Sequence, residues 1–226
     1  MSQIPPLTIY ASPSSQPSRS VISFCKLSKI PFTYQEINYL ATKDHRSPTF
    51  TKINPFQEVP ALVNNNFNLW ESSAMIPYLA DAYNIDNQWY PKDIKIRARI
   101  NSFLHWHHEN IRAPIMNYIL AKIVLPRFYK KPELTEEKEK IYKETIVKLL
   151  ETITWMLKTT GNIARTTELT IADVFLFSEI TSGMILQIDL AAYPLIQKWF
   201  EKLRKIPEVI EVHQMILDMI GMNPKI

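Results

Sequence analysis

Val59-Pro60-Ala61-Leu62, then Asn64-Asn65-Asn66, then Trp70-Glu71-Ser72-Ser73 bring together residue types that could do chemistry. A cis proline before a strand presents the preceding backbone for pairing with an extended peptide. An acid and two hydroxyls read as the opening of a helix, whose bare amide N–H groups attract an anion. One side of such a site holds a peptide's backbone, and the other holds its carboxylate.

The elements that must position these groups change character along the chain. Leu7-Thr8-Ile9-Tyr10 is a short β-type run ending in the serine and proline cluster Ser12 to Ser20. Val21, Ile22, Phe24, Cys25 and Leu27 then recur at helical spacing until Ile30-Pro31 breaks the pattern. Phe32 to Ile37 reads as a second strand, and Ser47-Pro48 opens a short helix to Ile53. Two strands around the Asn turn and a helix from Ser72 to about Tyr83 follow. The order β-α-β-α-β-β-α, with proline before the third strand, is that of a thioredoxin-like mixed sheet.

Beyond Pro91 the pattern is helical throughout. Arg97 to Leu120 carries Ile100, Phe103, Leu104, His107, Ile111 and Ile115 along one face, with Pro114 predicting a kink or a break. Thr135 to Leu157, a capping box at Thr170 and Asp173, and helices near Tyr193–Lys205 and Pro207–Met219 complete the series. The fold class expected is α+β: a thioredoxin-like domain over 1–84, a linker at 85–90 and an all-helical domain over 91–226.

Composition narrows the classes. Lysine and arginine total 26 against 22 acids, a net of +4. Six basic and five acidic residues fall in 1–84, so the excess is spread out and no basic tail points to nucleic acid. The lone Cys25 cannot form an internal disulfide and suits a reducing compartment. Met1 to Tyr10 lacks a signal-peptide pattern, and no apolar run is long enough to span a bilayer, so a cytoplasmic protein is expected. Three glycines against sixteen prolines is unusual; asparagines are expected to take many of the positive-φ turns.

Six motifs in order now carry a resemblance. Ser15-Gln16-Pro17-Ser18-Arg19, Ile30-Pro31-Phe32, Asn54-Pro55 with Val59-Pro60-Ala61-Leu62, Glu71-Ser72, Trp89-Tyr90-Pro91 with Arg97-Ala98-Arg99, and Leu169 to Asp173 run through nearly the whole chain. Together the chain resembles the glutathione transferase family, closest to its theta class. The resemblance implies an enzyme that conjugates the glutathione thiolate to electrophilic, mostly apolar small molecules, in detoxification. Glutathione would be a co-substrate, and the protein a homodimer without a metal.

By that resemblance Ser15 is the donor that stabilises the thiolate, at the N-terminus of the first helix. An unperturbed thiol has a pKa of about 8.5 and needs such help at neutral pH. Ser12 and Ser14 are the fallback donors. Arg19, one turn on, either adds positive potential or pairs with an acid on its own helix. Val59 is expected to pair with the cysteinyl part of glutathione, Ser72 to take the γ-glutamyl carboxylate, Glu71 to meet the ammonium group, and His45 to approach the glycine end. Arg112, Ile111, Ile115 and Met116 would line the electrophile pocket, with Arg112 holding an anionic leaving group or facing solvent.

Departures from the family pattern are informative. Glu58, a glutathione-binding position by the resemblance, stands with Gln57 where theta members resemble one another in carrying basic residues. Either its side chain swings to solvent and its backbone alone contributes, or glutathione binds weakly. Thr166 stands where the family has glycine. A chain ending at Ile226 leaves little to cover the pocket, which predicts an open electrophile site. His105, His108 and Glu109 share a helix face, but without His-Glu-x-x-His or a second cluster no metal is expected. The alternative function is a weak or inactive scaffold subunit docked in a larger assembly. A thiol-disulfide oxidoreductase is disfavoured because serine replaces the needed cysteine.

Overall fold

The computed structural model describes residues 6–39 and 42–222. Strand β1 (Leu7–Ala11) alternates buried and half-buried residues, as a central strand with apolar odd positions should. Helix α1 (Gln16–Leu27) begins where Pro17 sits in the first turn and Ser15 caps the end. Strand β2 (Thr33–Glu36) pairs parallel to β1 with Ile9 opposite Tyr34. Helix α2 (Pro48–Ile53) is capped by Ser47, whose hydroxyl accepts the Phe50 N–H at 3.2 Å. Strands β3 (Ala61–Asn64) and β4 (Phe67–Trp70) form an antiparallel pair, and the sheet order is β2-β1-β3-β4. Helix α3 (Ser72–Ala82) follows at once.

The turn between β3 and β4 places Asn65 at φ 54, and Asn84 takes φ 50 after α3. Asparagine is expected to take many of the positive-φ positions, and Asn65 and Asn84 do, whereas Asn162 does not; its amide donates to the Thr166 and Thr167 carbonyls instead. Long polar side chains such as Lys29, Gln57 and Arg165 take most of the rest, with Gly161 and Gly221. Near the capping box the left-handed residue is Arg165, not Thr166.

The long helical pattern after Pro91 becomes α4 (Ile94–His107), α5 (Ala113–Ile119) and α6 (Leu125–Tyr129), joined by π turns at His108–Arg112 and Leu120–Val124. Pro114 and Pro126 explain both interruptions. A proline ring crowds the carbonyl four residues back and offers no N–H. The widened turn relieves the crowding, closing on bonds from Ala113 to the His108 carbonyl and from Leu125 to the Leu120 carbonyl. The helical run therefore continues past Pro114 through a widened turn and does not break there.

Helices α7 (Glu136–Leu157), α8 (Ile171–Gly183), α9 (Pro194–Leu203) and α10 (Pro207–Met219) complete the fold. Every residue of α8 is buried, because α1, α4, α5, α9 and α10 all pack on it. One apolar core runs from Leu7 and Ile9 through α8 to Val209, joining the sheet-bearing and helical halves. The site faces lie where α1 and α3 meet the α4–α5 turn.

Candidate functional site

Asn54, Glu58, Val59, Trp70, Glu71 and Ser72 on the sheet side, with Pro17 of α1, face His108 and Arg112 across a cleft of about 150 Å³. A groove of about 690 Å³ runs along the charged outer face of α7, but it is built from that one helix and collects no convergent chemistry. Size therefore does not select the site; the convergent polar groups of the small cleft do.

The sharpest of these is Ser72. It is 3% exposed, and its hydroxyl has no hydrogen-bond partner among the described residues. Ser72 is the first residue of α3 and not its cap: Glu71 holds the cap position at φ 68 and ψ 104, with no side-chain capping bond. A non-glycine residue there is strained, and such strain persists where surrounding structure imposes it. The result is an exposed carboxylate and an unspent buried hydroxyl at a helix start whose first N–H groups precede the intrahelical ladder. An uncompensated buried hydroxyl costs about 1–3 kcal/mol, which a ligand would recover.

The Val59-Pro60 bond is cis, as expected. Val59 is held differently from expectation: its N–H donates to the Tyr39 hydroxyl at 2.9 Å. His45 does not line the cleft. Its ring stacks on Tyr39 with centroids 4.2 Å apart, so it supports the residue that holds Val59. Glu58 is exposed at the rim, while its carbonyl accepts the Asn54 side-chain amide at 2.7 Å. The acid thus points to solvent and its backbone is fixed.

Ser15 caps α1, its hydroxyl oxygen accepting the Ser18 N–H at 3.4 Å. A capping serine uses a lone pair and keeps its proton, so Ser15 can still donate to an anion. Ser12 and Ser14 are engaged with each other at 3.0 Å. Arg19 is fully buried and pairs with no acid of α1; it donates to the carbonyls of Pro13 and Ser178 and to the Ser182 hydroxyl. Burial pushes the Cys25 thiol up to about 12, which leaves the chain's own sulfur inert.

Two of the expected pocket residues are corrected. Ile111 and Ile115 are fully buried, because the face they share with Ile100 and Leu104 is the one that packs inward on the core. Arg112 and Met116 remain half-buried, Met116 against the Gln16 amide. Arg112 reaches Gln16 Oε1 at 3.5 Å and Glu179 Oε1 at 3.6 Å.

His108 lines the cleft, as expected of the histidines on this helix face once a metal role is set aside. Its Nε2 lies 3.0 Å from the Ser73 hydroxyl, which donates its proton to the Leu104 carbonyl, so His108 must be the donor. Burial, then Arg112, holds its imidazole below the ordinary value. Its spacing of four from Arg112 was the signal available. Tyr39 gave no signal. Among the described residues no three His, Cys, Asp or Glu side chains converge on a point, and no helix is long and apolar enough to cross a membrane.

Comparisons with known proteins bear on this arrangement. The family model "Glutathione S-transferase, N-terminal domain" matches residues 9–88, and "Glutathione S-transferase, C-terminal domain" matches residues 111–207. Glutathione S-transferase T1 of Arabidopsis thaliana is 33% identical over 220 residues, covering 93% of this chain and 89% of that protein. Glutathione S-transferase T3 of the same plant is 34% identical over 220 residues, again 93% of this chain, which spans only 37% of that relative's length. Human glutathione transferase theta-2, solved in complex with glutathione and an unknown ligand, superposes with a TM-score of 0.83 at 25% identity, over 97% of this chain and 90% of that one.

Proposed function

This chain belongs to the glutathione S-transferase family, and from that premise we propose that it conjugates the glutathione thiolate to electrophilic, mostly apolar small molecules. The observation that carries the reading is the buried, unpartnered Ser72 hydroxyl at the start of α3, beside the free carboxylate of Glu71. A γ-glutamyl group carries a carboxylate and an ammonium on one carbon. Ser72 and the first N–H groups of α3 take the carboxylate, where the helix dipole favours it, and Glu71 takes the ammonium. The Val59 backbone pairs with the cysteinyl unit once the Tyr39 hydroxyl yields its N–H. The glycine end then lies toward the Glu58 rim, where the acid is turned out to solvent.

Ser15 donates its uncommitted proton to the sulfur anion at the N-terminus of α1, which raises the thiolate fraction at neutral pH. Arg112 and Met116 face the second substrate, and proximity supplies the rest of the rate. The proposal extends to 1–84 as the glutathione-binding part and 91–226 as the electrophile-binding part. A homodimeric, cytoplasmic detoxification enzyme without a metal follows from the family resemblance.

The test is a calorimetric titration with glutathione together with turnover of a chlorinated aromatic and an alkyl halide. Both should be positive, and absence of both would overturn the reading. Ser15→Ala should retain binding and lower turnover by about 10²-fold, the usual worth of a donor to a developing anion. Unchanged turnover would remove Ser15 from the mechanism.

A further inference from the structure

Behind the cleft wall a single carboxylate lies between two guanidiniums. Glu179, on α8, is 1% exposed, with Oε1 3.6 Å from Arg112 Nη1 and Oε2 without a hydrogen-bond partner among the described residues. Arg19 is near enough to add its charge. Its two terminal nitrogens are spent on Pro13, Ser178 and Ser182, so it gives Glu179 attraction without a hydrogen bond. Arg112 is the member of the cluster that reaches the cleft, and both of its polar contacts are long. A guanidinium held this loosely is shared between the buried carboxylate and whatever anion enters from the cleft.

We infer that Glu179 is a positioning residue that competes with an anion in the cleft for Arg112. With Glu179 ionised, Arg112 is neutralised from behind; with Glu179 protonated, Arg112 is released to the cleft. The inference rests on the glutathione-site reading above.

The surrounding charges agree with this assignment. Burial pushes the Glu179 carboxyl up to about 7, with Arg112 and then Arg19 opposing. Arg19 is lowered to about 10 by the same burial and stays charged. The titratable groups around the two arginines include His107 of α4, lowered to about 3, His108 of the π turn, lowered, His213 of α10, lowered well below its usual value, and Tyr39, raised by burial, while the carboxylates of Glu58 and Glu71 share the cleft with Arg112. Burial moves the three histidines and Tyr39 away from neutral pH and brings Glu179 toward it. Because coupling is reciprocal, an anion that draws Arg112 toward the cleft must also promote protonation of Glu179.

The experiment compares two glutathione conjugates that differ by one fixed charge, S-benzylglutathione and S-(4-sulfobenzyl)glutathione. Each is titrated calorimetrically between pH 6 and pH 8 in buffers of different ionisation enthalpy. The preference for the sulfonate should grow about tenfold toward pH 6, and its binding near pH 7 should take up a fraction of a proton. The conjugate without the sulfonate should do neither. Glu179→Gln should bind the sulfonate with the low-pH affinity at every pH and take up no proton, while Glu179→Asp should keep the pH slope. Equal proton uptake in Glu179→Gln, or none in the unmodified protein, would overturn the inference. The unmodified protein supplies that second measurement even if the Gln variant does not fold. Failure of both conjugates to bind would instead overturn the glutathione-site reading.

Discussion

Helices α3 and α8 open with nearly the same vocabulary, an acid and a hydroxyl, and put it to opposite uses. At α8 every group is spent. Asp173 Oδ2 accepts the Thr170 N–H at 2.8 Å and the Thr170 hydroxyl at 3.1 Å, and Oδ1 accepts the Ile163 N–H and Trp199 Nε1 at 2.9 Å each. At α3 the Ser72 hydroxyl is buried with no partner, and the Glu71 carboxylate caps nothing. A buried polar group that is satisfied internally stabilises the fold, whereas one left unsatisfied carries a cost that a ligand could recover. The difference separates a helix start satisfied from within the fold from one that could still take a ligand.

The largest effect belongs to the satisfied start. Asp173→Ala strands three buried N–H donors and should cost about 3–5 kcal/mol in chemical denaturation. A loss under about 1 kcal/mol would mean that the Asp173 network is not structural, and the contrast would collapse.

The unsatisfied start should behave in reverse. Ser72→Ala removes a hydroxyl with nothing to lose, so stability should hold or rise slightly, while glutathione affinity falls about tenfold, or ~1.4 kcal/mol. Destabilisation near 1 kcal/mol with unchanged affinity would make Ser72 an ordinary cap.

Glu58→Lys gives the smallest shift. A rim charge this exposed should alter glutathione affinity by less than about fivefold, favouring the lysine and fading in salt. A larger gain would place the acid inside the site and not at its edge.

Much of the sheet-bearing half was legible because its signals are local. The cis proline, the Ser15 and Ser47 caps and the strand order each depend on residues a few positions apart. The π turns before Pro114 and Pro126 were legible only as trouble, since proline announces a defect without saying how packing resolves it. Ile111 and Ile115 were misplaced because an apolar helix face looks alike whether it lines a pocket or meets another helix. The Tyr39–Val59 bond and the Arg112–Glu179 pair carry no periodicity at all.

Sequence alone determined the element order, the family resemblance and the candidate glutathione ligands, because local propensity and short motifs encode backbone geometry directly. Tertiary structure decided which of those groups remain unsatisfied. It turned Glu58 outward, set His45 behind Tyr39, buried Ile111 and Ile115, and drew Glu179 up to Arg112 from far along the chain. Burial and partnering are properties of neighbours in space, and the packing of α8 against α1, α4 and α5 is what chooses those neighbours.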